Sequence, residues 1–142
     1  MIKINIINKS ENPLPCYSKP GDAGMDICSS EDIILPAFHW RLISTGLFLE
    51  LPDGYEMQIR SRSGLAAKHG LQVLNSPGTI DSGYRGEIKV IMINNDHRSY
   101  EIKNGDRIAQ MVLAPVYTAV LNEVDTISES ERGEGGFGST GK

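Results

Sequence analysis

Short runs in which apolar and polar residues alternate recur along most of the chain. The alternation is clear at positions 2–6, 47–51 and 55–59, and the last two runs flank a Pro52-Asp53-Gly54 turn. A period of two residues is typical of a β-strand with one buried face. The pattern therefore predicts a strand at the beginning of the chain and a β-hairpin around Pro52-Asp53-Gly54.

The later part of the chain continues this pattern of strands and turns. Residues 88–93 are apolar at nearly every position, which predicts a strand covered on both faces, and the run 100–112 has an Asn104-Gly105 turn between two apolar segments. The one helix-like segment, 65–69, ends at Gly70 and is about one turn long. Short strands at short spacing predict an all-β domain, a compact sandwich or barrel.

Length and composition narrow the class of protein. With 142 residues the chain predicts one domain, large enough to need neither disulfides nor a structural metal. A hydrophobic content of 39% is lean for a monomer, so part of the core is expected to form between subunits. The net charge of −4, with no Lys/Arg run, argues against nucleic-acid binding.

Cys16 and Cys28 form no CxxC pair, so neither a zinc site nor a disulfide is predicted. Because no run resembles a signal peptide or a membrane span, we expect a soluble intracellular protein.

The composition changes after about Glu129, which predicts a domain over 1–128 and a separate terminal segment over 129–142. The last eleven residues contain five glycines together with Arg132, Phe137 and a Ser-Thr pair. Composition alone favours a flexible terminus, and the alternative is a lid that a ligand orders. The glycine and lysine spacing also matches a Walker A loop, but the chain stops at the lysine, so the required Ser or Thr and the following helix are missing.

Three internal segments carry polar residues that are candidates for ligand binding. Asp26 lies among small and apolar residues just before an expected strand. It is either a turn aspartate that bonds to its own backbone or a functional acid. In segment 60–66 a strand runs into a helical turn, and Arg60 and Arg62 are expected on one side of that strand, either to bind phosphate or as surface arginines. Gln110 interrupts an apolar run, so it faces either a ligand or water at a sheet edge.

The segment 75–87 holds the strongest candidate for catalysis. Turn residues surround Asp81 and Tyr84, and a hairpin here would present backbone N–H and C=O groups able to recognise a base edge. Asp81 is the best general-base candidate, because a carboxylate beside a water molecule can increase its nucleophilicity. Tyr84 would pack against a sugar. The alternative is an ordinary hairpin with a solvated acid. The three histidines have no spacing for a metal site or a triad.

Taken together and in order, these segments resemble the five motifs of the trimeric dUTP pyrophosphatases (dUTPases) across essentially the whole chain. The resemblance is carried most specifically by Arg62-Ser63-Gly64-Leu65-Ala66, Gly78-Thr79-Ile80-Asp81-Ser82-Gly83-Tyr84-Arg85-Gly86, Gly105-Asp106-Arg107-Ile108-Ala109-Gln110 and the segment 132–141. It implies a β-jelly-roll that forms a homotrimer, in which each active site uses three chains. It also implies hydrolysis of dUTP to dUMP and pyrophosphate with Mg²⁺, which keeps uracil out of DNA and supplies dUMP for thymidylate synthesis.

The resemblance assigns a role to each matching residue. Asp81 would orient the water that attacks the α-phosphorus, and Asp26 would lie near the hydrated Mg²⁺, in contact with it only through water. The phosphate contacts would be Arg62, Ser63, Gly64, Gln110 and, for the γ-phosphate, Arg132. The uracil and sugar contacts would be Asn75, Gly78, Thr79, Ile80, Tyr84 and Lys89. The lid would contribute Phe137, stacked on uracil, with Gly138, Ser139 and Thr140.

Two other functions compete with this one. A dCTP deaminase shares the implied fold and needs a glutamate at the base, and Glu87 is the acid close to the predicted hairpin. A trimeric scaffold would be expected to have lost Asp81, Arg132 or Phe137, and all three are present. Gly83 stands where many dUTPases have an acid. We expect a cytoplasmic enzyme, or a nuclear one in a eukaryote.

Overall fold

The structure, a computed structural model, describes residues 1–136. These residues form ten β-strands and one short helix, so the all-β prediction is confirmed. The elements are β1 (Asn5–Asn8), β2 (Met25–Cys28), β3 (Ile33–Leu35), β4 (Trp40–Glu50), β5 (Tyr55–Arg60), α1 (Ser63–His69), β6 (Leu71–Val73), β7 (Gly78–Ile80), β8 (Glu87–Asn94), β9 (Tyr100–Ile102) and β10 (Arg107–Pro115). Within residues 1–136, no helix is both long enough and apolar enough to cross a bilayer.

The strands form two four-stranded antiparallel sheets and one small pair. Sheet A has the order β1-β4-β8-β6, sheet B has the order β2-β10-β5-β7, and β3 pairs with β9. The apolar faces of both sheets supply one continuous core, because alternate residues of each strand point to the same face. Its fully buried members include Ile27, Ile43, Met57, Ile88, Val90 and Met92.

The open face of β8 differs from the sequence prediction. Residues 88, 90, 92 and 94 are buried, but Lys89 is exposed and Ile91 and Ile93 are only half-buried. Across the sheet, Trp40 and Leu42 of β4 lie opposite Ile93 and Ile91. Within one chain the strand is therefore covered on one face, not on both as its apolar run predicts.

The predicted hairpin around Pro52-Asp53-Gly54 is wrong. The turn exists, but it connects β4 in sheet A to β5 in sheet B. Because β4 already pairs with β1 and β8, and β5 with β10 and β7, neither strand has a free edge for the other. Pairing between distant strands therefore overrides the local turn signal.

The segment 75–87 and the Asn104-Gly105 turn behave in the same way. β7 pairs with β5 in sheet B, whereas β8 pairs with β4 and β6 in sheet A. The residues 75–87 are thus a loop between the two sheets that carries one edge strand, and not a paired hairpin. The Asn104-Gly105 turn likewise links β9, the partner of β3, to β10 in sheet B.

The predicted helical segment is confirmed and begins slightly earlier than expected. Arg62, with φ −88° and ψ 124°, takes the N-cap position of α1 without a side-chain cap bond. Gly70 ends the helix in the left-handed region, at φ 65°, and its N–H bonds back to carbonyls of the last turn. A C-terminal glycine of this kind ends a helix because it accepts positive φ without strain.

Candidate active site

A cleft of about 580 Å³ opens beside β7 and the open face of sheet A. Apolar side chains of β4, β5 and β8 form its floor, and the loop between β6 and β8 forms one wall. Six of the residues that the sequence assigns to uracil and sugar line this cleft: Asn75, Gly78, Thr79, Ile80, Tyr84 and Lys89. The structure therefore brings this predicted group together, although the residues span two sheets.

The wall at β7 depends on close approach between backbone and side chains. Gly78 is buried and pairs with Ile59 of β5. A Cβ on Gly78 would lie 3.4 Å from both the Ile59 Cβ and the Asn75 Nδ2 atom. A Cβ would therefore just fit there, whereas a longer side chain would press against Ile59 or the Asn75 amide.

Tyr84 is held against the chain that follows it. Its hydroxyl donates a hydrogen bond to the Glu87 carbonyl oxygen at 3.0 Å, and its backbone N–H bonds to the Asp81 carbonyl oxygen at 3.1 Å. A Cβ on Gly86 would collide with the Tyr84 ring, so only glycine allows this orientation. Tyr84 as a whole residue is 44% exposed and lines the cleft, where a sugar can lie against its ring.

Asp81 follows β7 directly and is exposed. It is not among the residues that line the cleft, and it marks the end of the wall formed by residues 78–80. An exposed carboxylate at that position is free to hold a water molecule at the edge of a ligand in the cleft.

A second polar group surrounds Asp26 on sheet B. The Nε atom of Arg62 donates to Asp26 Oδ1 at 3.0 Å, and the Nη1 atom of Arg107 donates to Asp26 Oδ2 at 3.3 Å. Arg62 Nη1 also bonds to the Arg107 carbonyl oxygen at 2.9 Å. Asp26 lies inside β2, not before it, and its side chain pairs with arginines and does not cap a turn. The two arginines are thereby held in fixed orientations.

Arg60 and Arg62 do not share the side of a strand, as the sequence predicts. Arg60 is the last residue of β5, and its guanidinium bonds to Gln58 on the same strand. The chain leaves the sheet at Ser61 and turns into α1, so Arg62 takes the N-cap position and reaches Asp26 instead. Sequence periodicity cannot extend past the end of the strand that carries it.

Gln110 lies in the interior of a sheet. Its strand, β10, runs between β2 and β5, with Gln110 opposite Asp26 on one side and Arg60 on the other. The Gln110 Nε2 atom donates to the Ser61 carbonyl oxygen at 3.2 Å. A Cβ on Gly24 would lie 2.5 Å from Gln110 Oε1, so Gly24 provides the space for this amide. The sheet-edge alternative is therefore wrong.

Ser63 and Gly64 complete this group as the first two residues of α1, and both are exposed. Cys28 lies nearby in β2, opposite Arg107. Burial raises the pKa of the Cys28 thiol, and the positive charge of Arg107 offsets this only in part. The thiol therefore stays neutral at physiological pH and leaves the positive charge of the arginines undiminished.

The cleft and the Asp26 group share no lining residue, so one chain presents two separate candidate half-sites. Arg132 lies in a turn near the end of the described residues, where its Nε atom bonds to the Gly135 carbonyl oxygen at 2.8 Å. The predicted contacts of the lid, at Phe137, Gly138, Ser139 and Thr140, lie outside the described residues. No group of three or more His, Cys, Asp or Glu side chains within residues 1–136 is arranged to bind a metal ion.

Two residues take a larger part in these half-sites than the sequence suggests. Arg107 belongs to the motif at 105–110, but its contact with Asp26 joins positions 81 residues apart and leaves no signal in local sequence. Glu87 lines the cleft, with its carboxylate bonded to the Gly46 N–H. Both become visible only when strands from distant parts of the chain are paired.

The fold and these two groups of residues define a β-sandwich with a cleft and an arginine group that suit a small anionic ligand. The profile of the dUTPase family matches residues 10–141. A deoxyuridine 5'-triphosphate nucleotidohydrolase from Nautilia profundicola is 55% identical over 141 residues and covers 99% of each chain. One of the same name from Clostridium tetani is 51% identical over 141 residues, covering 99% of this chain and 97% of the relative. The chain belongs to the dUTPase family.

Solved structures agree with this assignment. The dUTPase of Staphylococcus bacteriophage 80alpha, determined with dUpNHpp, superposes with a TM-score of 0.90 at 32% identity and covers 99% of both chains. The D95N dUTPase of S. aureus phage phi11, which coordinates a structural Mg(II) ion, gives a TM-score of 0.82 at 27% identity over 89% of this chain and 99% of that one. The jelly-roll fold predicted from the resemblance is thus confirmed.

Proposed function

We propose that this chain is a dUTP diphosphatase, a hydrolase that converts dUTP to dUMP and pyrophosphate. The observation that carries the proposal is the cleft in which Asn75, residues 78–80, Tyr84 and Lys89 converge, in a chain of the dUTPase family. In a cell this activity keeps uracil out of DNA and supplies dUMP for thymidylate synthesis. We place it in the cytoplasm, or in the nucleus of a eukaryote.

Backbone groups at the free edge of β7 support recognition of uracil. β7 is the outer strand of sheet B and pairs only with β5, so its other edge offers unpaired N–H and C=O groups beside the cleft. Uracil presents a donor at N3 and acceptors at O2 and O4, which such an edge can match. Cytosine would leave these groups unpaired, a mismatch that discriminates by about 10⁴-fold. Contact between the cleft wall and the uracil ring would leave no room for the methyl group of thymine, and Tyr84 under the sugar would exclude a 2′-hydroxyl.

The Asp26 group supports binding of the triphosphate. Arg62 and Gln110 stand beside the exposed start of α1, where Ser63 and Gly64 offer a hydroxyl and backbone N–H groups. Because Asp26 fixes the guanidinium of Arg62, less side-chain entropy is lost when a phosphate binds. Charge-assisted hydrogen bonds of this kind contribute about 1.5–3 kcal/mol each.

Asp81 acts on the attacking water. Its carboxylate accepts a proton from a water molecule as the water oxygen bonds to the α-phosphorus in line with the departing group. The bond from the α-phosphorus to the bridging oxygen then breaks, and pyrophosphate leaves with that electron pair. Holding the water in this alignment is the larger part of the effect, because phosphoryl transfer depends mainly on positioning and charge stabilisation.

Mg²⁺ would be bound with the substrate, as the magnesium complex of dUTP. The dUTPases use Mg²⁺, and the donor set here fits an ion carried by the triphosphate. Both oxygens of Asp26 already bond to arginines, and no group of metal-binding side chains occurs within residues 1–136. Water molecules would therefore complete the coordination shell of the ion, and Asp26 would contact the ion only through water. When bound, the ion would neutralise charge on the phosphates and restrict their conformation.

A homotrimer with shared active sites would unite the two half-sites. Trp40 and Leu42 are 56% and 50% exposed on the open face of β4, and this face continues into the cleft through Leu42 and Ile91. Residues 116–127 carry further exposed apolar side chains with no core beneath them: Val116, Tyr117, Val120, Leu121, Val124 and Ile127. A neighbouring chain that covers these surfaces would bring its Asp26 group to the cleft.

The terminal segment 129–142 would close over the site of another subunit. Arg132 would reach the γ-phosphate and Phe137 would stack on uracil, a contact of about 1–3 kcal/mol. Gly138 would allow close approach, and Ser139 and Thr140 would add hydroxyl donors. The jelly-roll over 1–128 would thus supply the rigid part of the site and 129–142 the part that the triphosphate orders.

The test is pyrophosphate release with Mg²⁺ from dUTP, with UTP, dTTP and dCTP in parallel. We expect release from dUTP alone. Absence of release from all four by folded protein would overturn the proposal and favour a scaffold. Ammonia released from dCTP would instead identify a deaminase, in which Glu87 would act at the base. The Glu87 carboxylate is, however, already bonded to Gly46 N and paired with Lys89.

A further inference from the structure

A β-bulge in β4 lies directly beside the cleft. The pairing of β4 with β8 shifts register between Ser44 and Phe48, so residues 45–47 stand opposite Ile88 alone. The Thr45 hydroxyl, which is buried, donates to the Ile88 carbonyl oxygen at 2.6 Å. Bulges of this kind frequently redirect side chains next to binding sites.

The bulge rests on the N-terminal segment through backbone contacts. Gly46, at its centre, has φ 71°, and its carbonyl oxygen accepts a hydrogen bond from Lys9 N at 2.8 Å. A Cβ on Gly46 would lie 2.8 Å from Ser10 N. Backbone packed this closely against backbone has little room to move, so the bulge is a rigid anchor beside the cleft.

Glu87 connects this anchor to the cleft. Its Oε1 atom accepts a hydrogen bond from Gly46 N at 2.9 Å, and its Oε2 atom lies 3.6 Å from Lys89 Nζ. Its backbone carbonyl oxygen accepts the hydrogen bond from the Tyr84 hydroxyl. The Glu87 side chain is 22% exposed and lines the cleft together with Tyr84 and Lys89.

We propose that Glu87 is a positioning residue that sets the selectivity for deoxyribose over ribose by fixing Tyr84 and Lys89 to the bulge through its bond to Gly46. The inference rests on the proposed function. A carboxylate in a cleft for an anionic nucleotide would repel its ligand, so its presence needs a compensating use. Here the Gly46 N–H and Lys89 compensate its charge, and the bond to Gly46 holds the first residue of β8, whose carbonyl orients Tyr84.

The experiment compares three substitutions in the full chain: Glu87→Ala, Glu87→Asp and Glu87→Gln. Alanine removes the acceptor, aspartate keeps the charge but is one methylene too short to reach Gly46 N, and glutamine keeps an acceptor oxygen at full length. The matched control is Glu101→Ala, which removes a strand glutamate paired with a lysine two residues later, Lys103, away from the cleft. We would measure kcat and KM for dUTP and UTP in each.

We expect the ratio of kcat/KM for dUTP to that for UTP to fall about tenfold in Glu87→Ala and Glu87→Asp, the loss expected for one positioning hydrogen bond. The KM for dUTP should rise by a similar factor, with kcat changed less than about threefold because Asp81 is untouched. Glu87→Gln should retain most of the selectivity, and Glu101→Ala all of it. KM and the ratio are independent of the fraction of folded enzyme, so partial misfolding does not obscure the result.

Wild-type selectivity in Glu87→Ala or Glu87→Asp would overturn the inference. So would a Glu87→Gln variant as unselective as Glu87→Ala, because the bond to Gly46 would then not carry the effect. A fall in kcat that is equal for both nucleotides would assign Glu87 to the chemical step instead. If wild-type protein hydrolyses no dUTP, the proposed function fails first, whereas an active wild type with unchanged Glu87 variants leaves that function standing.

Discussion

At the residue scale, two aspartates have different surroundings, and the roles proposed for them differ accordingly. Asp81 is exposed at the end of a strand, whereas both oxygens of Asp26 bond to guanidinium groups. The proposed base needs a carboxylate free to hold water, and a phosphate site needs arginines held in place. The residue type alone does not distinguish these two tasks. The contacts of each carboxylate distinguish them.

The role of Asp81 predicts a specific kinetic defect. Asp81→Asn is expected to lower kcat for dUTP by about 10²–10⁴-fold, the usual contribution of a general base. Binding of dUMP should change little, because the amide keeps the size of the side chain and the cleft is intact. Steady-state kinetics and calorimetric titration with dUMP would measure both. An Asp81→Asn enzyme with unimpaired kcat would remove Asp81 as the base.

At the scale of elements, the loops and bulges position the site, while the strands provide the frame. The residues 75–87 cross from one sheet to the other, so the cleft lies where the sheets separate. The bulge at 45–47 lies beside Glu87 in one wall of the cleft, and the start of α1 lies beside the Asp26 group, where we propose that the phosphates bind. A change in such a connection is therefore expected to affect both stability and substrate binding.

Gly46 and Gly54 provide a matched test of the bulge. Both have positive φ, 71° and 82°, but a Cβ on Gly54 would meet no atom within 4 Å, whereas one on Gly46 would meet the backbone of Ser10. Gly54→Ala should lose about 1–2 kcal/mol of unfolding free energy through backbone strain alone. Gly46→Ala should lose about 1–3 kcal/mol more, because it adds overpacking.

Chemical denaturation of both variants would measure the difference. Equal losses would show that the N-terminal segment moves aside freely, which contradicts a rigid bulge. Gly46→Ala should also raise the KM for dUTP, since the bulge supports the wall of the cleft, and Gly54→Ala should not.

At the scale of the whole molecule, the proposed trimer would account for both the separation of the cleft from the Asp26 group and the apolar sheet face that one chain leaves exposed. In one chain, the cleft and the Asp26 group share no residue, and Trp40 and Leu42 lie on the exposed face of β4. Assembly would cover that face and complete the site at the same time. Activity is therefore expected to depend on the assembled state.

Shared sites predict complementation between two inactive variants. A chain with Asp81→Asn and a chain lacking residues 132–142 should each be inactive, and the truncated one should still assemble. If Asp81 and the terminal segment of one site come from different chains, co-refolding equal amounts should restore about a quarter of the wild-type activity, because half of the chains carry each intact part.

Pyrophosphate release from the refolded mixture is the measurement, and mixing the two folded proteins without refolding is the control. No recovery in a mixture that forms trimers would mean that one chain supplies both parts. Full activity of the truncated protein alone would contradict the role of the terminal segment.

Local sequence determined most of the short strands, the helix that ends at Gly70, and six of the residues that line the cleft. Period-two alternation, turn residues and family motifs can all be recognised from residues that are close in sequence. Only the tertiary structure decided which strands pair, since the Pro52-Asp53-Gly54 turn joins two sheets whose edges are already occupied. The same holds for the bond from Arg107 to Asp26, and for the bond from Glu87 to Gly46. These contacts join positions 41 to 81 residues apart, and their energies depend on long-range packing that no local pattern encodes.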